Sequence, residues 1–139
     1  MTLSRAALVS VALVFGCGIA MATSGRLGVL DHYAALARQE NPQFQEFSAA
    51  QGRAFFLASP GAGEAGIASC TSCHTNDPHN QGRTRAGKLL DPMAVSRTPT
   101  RFTDLEKVEK WFSRNCQTVY GRPCTAVEKG NFISYMASQ

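Results

Sequence analysis

The residues best suited to chemistry are the two cysteines and the histidine of CTSCH, Cys70 to His74. Their spacing, C-x-x-C-H, is the attachment signal for c-type haem. Two thiols add across the haem vinyl groups, the two-residue spacer matches the separation of those groups, and the adjacent histidine reaches the iron as proximal ligand. The motif therefore predicts one covalently bound haem c, with Cys70 and Cys73 as thioethers and His74 on iron.

Two other kinds of site use the same pair of cysteines. A zinc ribbon would need a matched pair of ligands downstream, and Cys116 and Cys124 are spaced too widely to match. A thioredoxin-like redox pair lies between a strand and a helix, a context that this segment lacks. We therefore interpret the motif as a haem site.

Four residues could bind the iron as its distal ligand, opposite His74: Met93, Met136, His79 and Asn115. His79 follows His74 too closely, along a loop that contains a proline, to reach the opposite face easily. Met136 lies on the inward face of a predicted helix, where a methionine usually fills the core. Met93 is a strong candidate, because a loop methionine completes the iron in electron-carrying cytochromes c.

Asn115 lies in TDLEKVEKWFSRN, where apolar residues recur at helical spacing through Val108 and Phe112. The pattern predicts a helix that begins at the cap Thr103 and ends near Asn115, with Asn115 on its buried face. An unpaired buried carboxamide costs about 1 to 3 kcal/mol, so it needs a partner. Iron would satisfy it, and so would a local bond to the end of the helix. Position alone leaves both readings open.

Three further helices frame these residues. RLGVLDHYAALARQE predicts a short, peripheral helix that ends before Asn41-Pro42 and turns Leu27, Leu30, Ala34 and Ala37 inward. SAAQGRAFFLAS predicts a helix with a capping box at Ser48, and the glycine inside it, Gly52, indicates close backbone packing. TAVEKGNFISYMAS predicts a last helix that is capped by Thr125 with Glu128.

The stretch from Pro60 to Thr100 has no amphipathic period and is rich in glycine, proline and polar residues. Loops of this length in compact domains are usually functional or disordered, and a bound cofactor gives such a loop something to pack against. We predict an all-α single domain whose helices pack around covalent haem, with long irregular loops.

The first 22 residues have the layout of a secretory leader, with a charge at Arg5, an apolar run and small residues that end at Ala22. We predict a signal peptide at 1–22, a mature domain at 23–139 and export to the periplasm. The apolar run falls just short of the roughly 20 residues of a spanning helix. A retained membrane anchor, or lipidation at Cys17, is the alternative to cleavage.

Removing residues 1–22 takes away Arg5 and no acidic residue, so the formal charge falls from +4 to +3. Basic residues cluster in one segment, where they could steer an acidic partner, hold negative groups of a cofactor or form a solvated loop: Arg83, Arg85, Lys88, Arg97 and Arg101. No alternation of aromatic and basic residues predicts a nucleic-acid surface.

Five cysteines become four once Cys17 leaves with the leader. An exported protein can hold an oxidised pair. If Cys116 and Cys124 are bonded, they close a ring of nine residues, which stabilises the fold by roughly 2 to 3 kcal/mol and holds the segment next to Asn115.

RFTDLEKVEKWFSRNCQTVYGRPC, CTSCH and GRTRAGK together resemble the family of the sphaeroides haem protein, a small periplasmic monohaem cytochrome c. The resemblance runs from about Gly52 to the C-terminus, and its most specific feature is Trp-x-x-x-Asn-Cys followed by a second cysteine. It implies thioethers at Cys70 and Cys73, His74 and Asn115 as the proximal and distal ligands, and a disulfide between Cys116 and Cys124. Met93 departs from the family pattern and stays an alternative distal ligand.

The resemblance also implies a function. An amide oxygen suits ferric iron better than ferrous iron, so reduction should release Asn115 and let O2, NO or CO bind transiently. Similar proteins take electrons from a partner dihaem cytochrome c. Whether the chain is an enzyme, a haem oxidoreductase acting on small oxygen or nitrogen species, is left open. The alternatives are a plain electron-transfer cytochrome c with Met93 on iron and an exported module without haem.

Overall fold

The computed structural model of the chain describes residues 17–139, which form five α-helices and one small hairpin. In chain order the elements are α1 (Cys17–Glu40), α2 (Ala49–Leu57), α3 (Thr71–His74), β1 (Gly82–Arg83), β2 (Leu89–Leu90), α4 (Leu105–Tyr120) and α5 (Ala126–Ala137). The two strands pair antiparallel, with Gly82 opposite Leu90 and Arg83 opposite Leu89. The predicted all-α class is confirmed.

The predicted leader falls mostly outside the described residues, because residues 1–16 are not among them. Residues 17–22 belong to the first turns of α1. Within the described part of the chain, no helix is both long and apolar enough to cross a membrane. Cleavage after residue 22 and lipidation at Cys17 stay predictions.

Helix α1 ends at Glu40, as the Asn41-Pro42 signal predicted, but its inward face differs from the predicted one. Val29, Tyr33 and Ala37 are buried, whereas Leu27 is 55% exposed. On this face the Tyr33 hydroxyl donates to the Glu109 carboxylate at 2.5 Å. The prediction of a peripheral helix was wrong, since α1 packs against α5 and contributes to the core.

Helices α2 and α5 approach each other closely at Gly52. A Cβ atom at this position would lie 1.9 Å from the backbone oxygen of Asn131, which confirms the predicted close packing. Asn131 is buried and caps α2 from across the interface, because its Oδ1 accepts from the Ser48 amide at 2.7 Å. Its Nδ2 donates to Gln51 Oε1, so Ser48 and Gln51 form only half of the predicted capping box.

Replacing Gly52 with alanine is expected to destabilise the protein by about 1 to 3 kcal/mol, because the added methyl group meets backbone rather than a flexible side chain. Gly28 is the matched control. It also lies inside a helix, but a Cβ there meets nothing within 4 Å, so Gly28→Ala should stabilise by about 1 kcal/mol. Thermal unfolding of both variants checks the opposite signs, and equal effects would contradict the packing argument.

Helix α4 differs from its prediction at both ends. Its N-cap is Asp104, which accepts from the Lys107 amide, and not Thr103. The helix continues to Tyr120 and ends at Gly121, which has a left-handed φ of 64°. Sequence reasoning missed this end because the apolar stripe was followed only to residue 115, although Cys116 and Val119 extend it.

The stripe that α4 buries consists of Val108, Phe112, Cys116 and Val119. Asn115 lies off this stripe and is exposed, so the prediction that it shares the buried face was wrong. The alternative of a local helix cap also fails, because Gly121 caps the helix more than one turn later. Asn115 therefore lies within α4, several residues before its end, and outside the stripe that the helix buries.

Helix α5 agrees with its prediction. The Thr125 hydroxyl accepts from the Glu128 amide, and the Glu128 carboxylate accepts from the Thr125 amide. Phe132, Ile133 and Met136 are buried, so Met136 is core filler as predicted. Phe132 lies at the centre of the aromatic core, with ring contacts at 5.5 to 6.4 Å to four other phenylalanines: Phe55, Phe56, Phe102 and Phe112.

The predicted irregular stretch is confirmed. Between α2 and α4 the only regular elements among the described residues are the four-residue α3 and the two-residue strands. The stretch is nevertheless fixed to the helices, because the Glu64 amide donates to Thr118 O at 2.7 Å and the Val95 amide donates to Met136 O at 3.0 Å. These bonds hold the loop that carries CTSCH against α4 and α5.

Candidate haem site

The CTSCH motif forms a single helical turn. Cys70 is the N-cap of α3, and its carbonyl oxygen accepts from the amides of Cys73 at 3.3 Å and His74 at 3.1 Å. Residues three and four apart lie on the same side of a helical turn. The turn therefore presents Cys70, Cys73 and His74 together, as attachment of one macrocycle requires.

The chain leaves this turn through an unusual backbone conformation. Thr75 has a φ of 61°, which β-branched residues rarely adopt, and its hydroxyl donates to Asp77 O at 2.8 Å. On the other side, Gly82 of β1 lies against the turn, since a Cβ atom there would come within 2.2 Å of Cys73 O. The close approach explains why a glycine is needed at residue 82.

Both cysteines of the motif are half-buried, and neither is part of a disulfide. Burial raises the pKa of the Cys70 thiol to about 11, and Cys70 packs against the hydrophobic core. Zinc sites and redox-active pairs need a thiolate, whereas an apolar site suits an uncharged thioether. Cys116 and Cys124 are bonded to each other and therefore cannot complete a zinc site. The surroundings of Cys70 favour haem attachment.

The His74 ring is prepared for metal binding in its neutral form. Burial, and then the charge of Arg101, lower the pKa of His74 to about 4. Its Nδ1 is buried and has no hydrogen-bond partner among the residues that the structure describes. Neutral imidazole is the form that binds metals, so the ring fits the role of an iron ligand.

Arg101 holds the loop that precedes Met93. Its Nε donates to Pro92 O and its Nη2 to Asp91 O, both at 2.6 Å. The guanidinium is near enough to His74 to lower the pKa of the imidazole. In the sequence, Arg101 is one of five basic residues in its segment, and its spacing does not distinguish it from the other four.

Met93 is followed by a backbone contact with the segment that leaves the CTSCH turn. The next residue, Ala94, donates its amide to Pro78 O at 2.9 Å, in the segment that directly follows the CTSCH turn. Met93 is only 8% exposed and belongs to the hydrophobic core. Its side chain is therefore occupied in packing.

Asn115 lies on α4, on the exposed side that it shares with Trp111 one turn earlier. The side chain of Asn115 makes no hydrogen bond to any other residue within 17–139. The loop that leads to Cys70 runs along the C-terminal half of this helix, where a Cβ atom on Gly63 would lie 2.1 Å from Thr118 O. Burial, and then the nearby Cys70, raise the pKa of the Tyr120 phenol, so the attachment turn lies close to the end of α4.

A disulfide joins Cys116 of α4 to Cys124, just before α5, with 5.7 Å between their Cα atoms. Both cysteines are buried. Because Cys116 directly follows Asn115, the bond fixes the backbone beside the predicted distal ligand.

The remaining histidines are at the surface. His79 Nδ1 lies 2.9 Å from Asp77 Oδ1, and nearly half of its side chain is exposed. His32 is exposed on α1 and packs edge-on against Tyr33. The prediction that His79 is a surface residue agrees with this position.

Known proteins resemble this chain in both sequence and structure. The model of the domain of unknown function DUF1924 matches residues 42–136. The cytochrome c-type protein SHP of Cereibacter sphaeroides is 47% identical over 91 residues, covering 66% of this chain and 70% of that protein. Cytochrome c'' of Methylophilus methylotrophus is 37% identical over 111 residues, covering 77% and 75%.

The solved structures agree with the sequence matches. Oxidised SHP, described as an oxygen-binding cytochrome c, superposes with a TM-score of 0.75 at 40% identity and covers 82% of this chain and 96% of its own. A solution structure of cytochrome c'', described as giving insights into haem-ligand detachment, has a TM-score of 0.69 at 34% identity, with 84% and 95% covered.

The fold and the CTSCH turn thus define a c-type cytochrome with covalently bound haem c. The chain belongs to the DUF1924 family, and among the cytochromes to the family of the sphaeroides haem protein SHP. The resemblance that the sequence suggested is confirmed.

Proposed function

We propose that the chain is an exported monohaem cytochrome in which His74 and Asn115 bind iron from opposite sides and Asn115 leaves on reduction. Cys70 and Cys73 carry the thioethers. The attached haem supplies an iron that alternates between ferric and ferrous states and, when ferrous, takes O2, NO or CO. The description of SHP as an oxygen-binding cytochrome c supports the gas chemistry.

The observation that carries this proposal is the state of the Asn115 side chain. It lies outside the buried stripe of a well-formed helix, has no hydrogen-bond partner among residues 17–139 and has no capping role. A carboxamide that makes no other hydrogen bond is free to act as an iron ligand. Met93, by contrast, is buried in the hydrophobic core, so its side chain would have to leave that packing to bind iron.

The chemistry of Asn115 and of Met93 determines which oxidation state of the iron each side chain would favour. The carboxamide oxygen of Asn115 is a hard, neutral donor, so it prefers ferric over ferrous iron. Once released, its amide nitrogen has two hydrogens with which to bond a diatomic molecule. A methionine sulfur would favour ferrous iron and exclude gases. Haem-ligand detachment is also the subject of the cytochrome c'' structure.

Release of Asn115 need not disturb the fold. The disulfide from Cys116 and the buried stripe of α4 fix the helix, so only the side chain has to move. A side-chain rotation on a fixed helix is fast compared with domain motions. The switch therefore operates locally.

The cellular setting of this proposal comes from the sequence. The leader at 1–22 would deliver the protein to the periplasm, and the disulfide suits an oxidising compartment. The protein would be membrane-bound only if the leader is retained or Cys17 is lipidated. Electrons would come from a partner cytochrome, and the family resemblance favours a dihaem cytochrome c.

Optical spectra of the purified holoprotein test the function. The reduced protein should be high-spin and should take CO at once, without a slow phase of ligand displacement. The ferric protein should lack the sulfur-to-iron charge-transfer band that a methionine ligand gives. A reduced state that is six-coordinate and inert to CO would refute the proposal and favour an electron carrier with Met93 on iron.

Replacing Arg101 with glutamine is expected to lower the reduction potential of the haem. A cation beside His74 disfavours the ferric state, so its removal stabilises that state by on the order of 1 kcal/mol. This energy is roughly 40 mV for one electron. Spectroelectrochemical titration measures the shift. Arg101→Lys keeps the charge and should keep the potential, and an equal fall in both variants would instead indicate a displaced loop.

A further inference from the structure

The hairpin of residues 82–90, called here the basic hairpin, is attached directly to the turn that carries the haem thiols. Gly82 is buried, and a Cβ atom there would lie 2.2 Å from Cys73 O and 3.0 Å from the His74 Cα atom. The backbone of β1 is thus in van der Waals contact with the attachment turn. A molecule bound to the hairpin would therefore lie next to the turn that would hold the haem.

The basic hairpin presents three positive charges and no negative one. Arg83, Arg85 and Lys88 are all exposed, and no acidic residue lies between 82 and 90. Arg83 Nη1 donates to Gly87 O at 2.8 Å and the Thr84 amide donates to Lys88 O at 2.9 Å, so the hairpin is internally bonded. Its charges are therefore held on a defined surface.

An apolar residue accompanies these charges. Leu89 is 52% exposed, although it is in a strand, and it pairs with Arg83 across the hairpin. Residues that pair directly across an antiparallel ladder have their side chains on the same face. An exposed leucine next to cations is typical of a protein-binding patch, in which a small apolar contact lies within a charged rim.

Asp91, the acidic residue that follows the hairpin, leaves the net charge unchanged when it is counted together with its neighbour Arg101. Asp91 interacts with Arg101, since the aspartate raises the pKa of that guanidinium against the effect of burial. A second basic region, on α4, is weaker. There Lys107, Lys110 and Arg114 flank Trp111, which is 48% exposed, but Asp104 and Glu106 lie beside them, so three cations minus two acids leave a net charge of +1.

We propose that the basic hairpin is the surface on which an acidic electron-transfer protein docks and through which electrons reach the haem. This inference deepens the proposed function and rests on the chain being a redox-active cytochrome. Charge complementarity of this kind raises the association rate and is weakened by salt, as suits a transient redox complex. The partner surface is expected to be small, with carboxylates around an apolar centre.

Flash-generated flavin semiquinones probe this surface without a known partner. The hairpin variant Arg83→Gln/Arg85→Gln/Lys88→Gln is compared with the α4 variant Lys107→Gln/Lys110→Gln/Arg114→Gln, which loses the same charge. Two negatively charged donors are used: the semiquinone of FMN, which carries a phosphate, and reduced flavodoxin, which is an acidic protein. Their reduction of the ferric holoprotein should be about 3- to 10-fold slower for the hairpin variant at low salt. Reduction by neutral lumiflavin should be unchanged, and about 0.5 M salt should abolish the difference.

Several results would overturn the docking surface. Equal slowing in both variants would mean that only net charge matters, and slowing in the α4 variant alone would move the entry site to Trp111. Slowing with lumiflavin would show that the hairpin substitutions disturb the haem itself. If the hairpin variant no longer sediments with phosphatidylglycerol vesicles but is reduced by the flavins at unchanged rates, the hairpin is a membrane contact instead.

Binding of CO separates the failure of this inference from the failure of the function. If the reduced hairpin variant takes CO as the unaltered protein does and its flavin rates are unchanged, docking at the hairpin is refuted and the gas-binding proposal stands. If neither protein takes CO but the flavin rates differ as expected, the hairpin remains the electron entry site of a plain electron carrier.

Discussion

Replacing Asn115 with alanine is expected to leave the ferric iron without its protein ligand on the distal side. The variant should keep covalent haem, because the CTSCH turn is untouched, but its ferric spectrum should change from that of a six-coordinate, amide-bound iron. Azide should bind the ferric variant at least about tenfold more tightly, since it no longer competes with Asn115, and this corresponds to roughly 1.4 kcal/mol or more. The reduced spectrum and CO binding should change little, because Asn115 is then already released.

Met93→Leu is the matched control for this experiment. The exchange nearly conserves volume in the core, so the cost in stability should stay below about 1.5 kcal/mol. Its ferric spectrum and azide affinity should equal those of the unaltered protein. If Met93→Leu changes the ferric spectrum and Asn115→Ala does not, the distal ligand is Met93 and the gas-binding function is refuted.

The sequence was most informative where a short spacing determines the chemistry. C-x-x-C-H predicts haem attachment without knowledge of the fold, and the structure forms it into one turn with an apolar Cys70 and a neutral His74. Helix caps that depend on local bonds were equally accessible, as Thr125 with Glu128 illustrates. The irregular stretch was predictable because its composition rules out an amphipathic period.

Features that depend on packing between distant segments were not accessible. The buried face of α1 contains Tyr33, whose hydrogen-bond partner Glu109 is 76 residues away in sequence. Similarly, α4 continues past Asn115, because its buried stripe extends to Cys116 and Val119 and because Gly121 packs on Ala62 O. The sequence shows the apolar residues of both helices. It does not show the distant segments against which they pack, and these determine which face is buried and where the helix ends.

For Asn115 the structural reasoning from the sequence was wrong, and its role as an iron ligand stays a prediction. The sequence argument assumed a buried amide that needed a partner, whereas the residue is exposed on its helix. The absence of a hydrogen bond within residues 17–139 suits a ligand role, because no such bond has to be broken before the amide binds. The prediction that Asn115 binds iron therefore rests on the family resemblance and not on burial.

Removing the disulfide with Cys116→Ser/Cys124→Ser is expected to lower the free energy of unfolding by about 2 to 5 kcal/mol. The bond closes a short loop between α4 and α5, and its loss frees the unfolded chain while placing two hydroxyl groups in buried positions. Because Cys116 adjoins Asn115, the ferric protein should also hold its distal ligand less firmly and bind azide more tightly. Denaturant titration measures the first effect and azide titration the second.

Gln117→Ala is the control, because Gln117 also adjoins Cys116 but is exposed, and its replacement should change stability by no more than about 0.5 kcal/mol. A double-serine variant that is destabilised but binds azide as the unaltered protein does would limit the disulfide to a structural role. An unchanged denaturation midpoint would contradict both effects. If both effects appear, the same covalent bond stabilises the fold and determines how readily Asn115 leaves the iron, so that reduction of the disulfide would itself change the ferric spectrum.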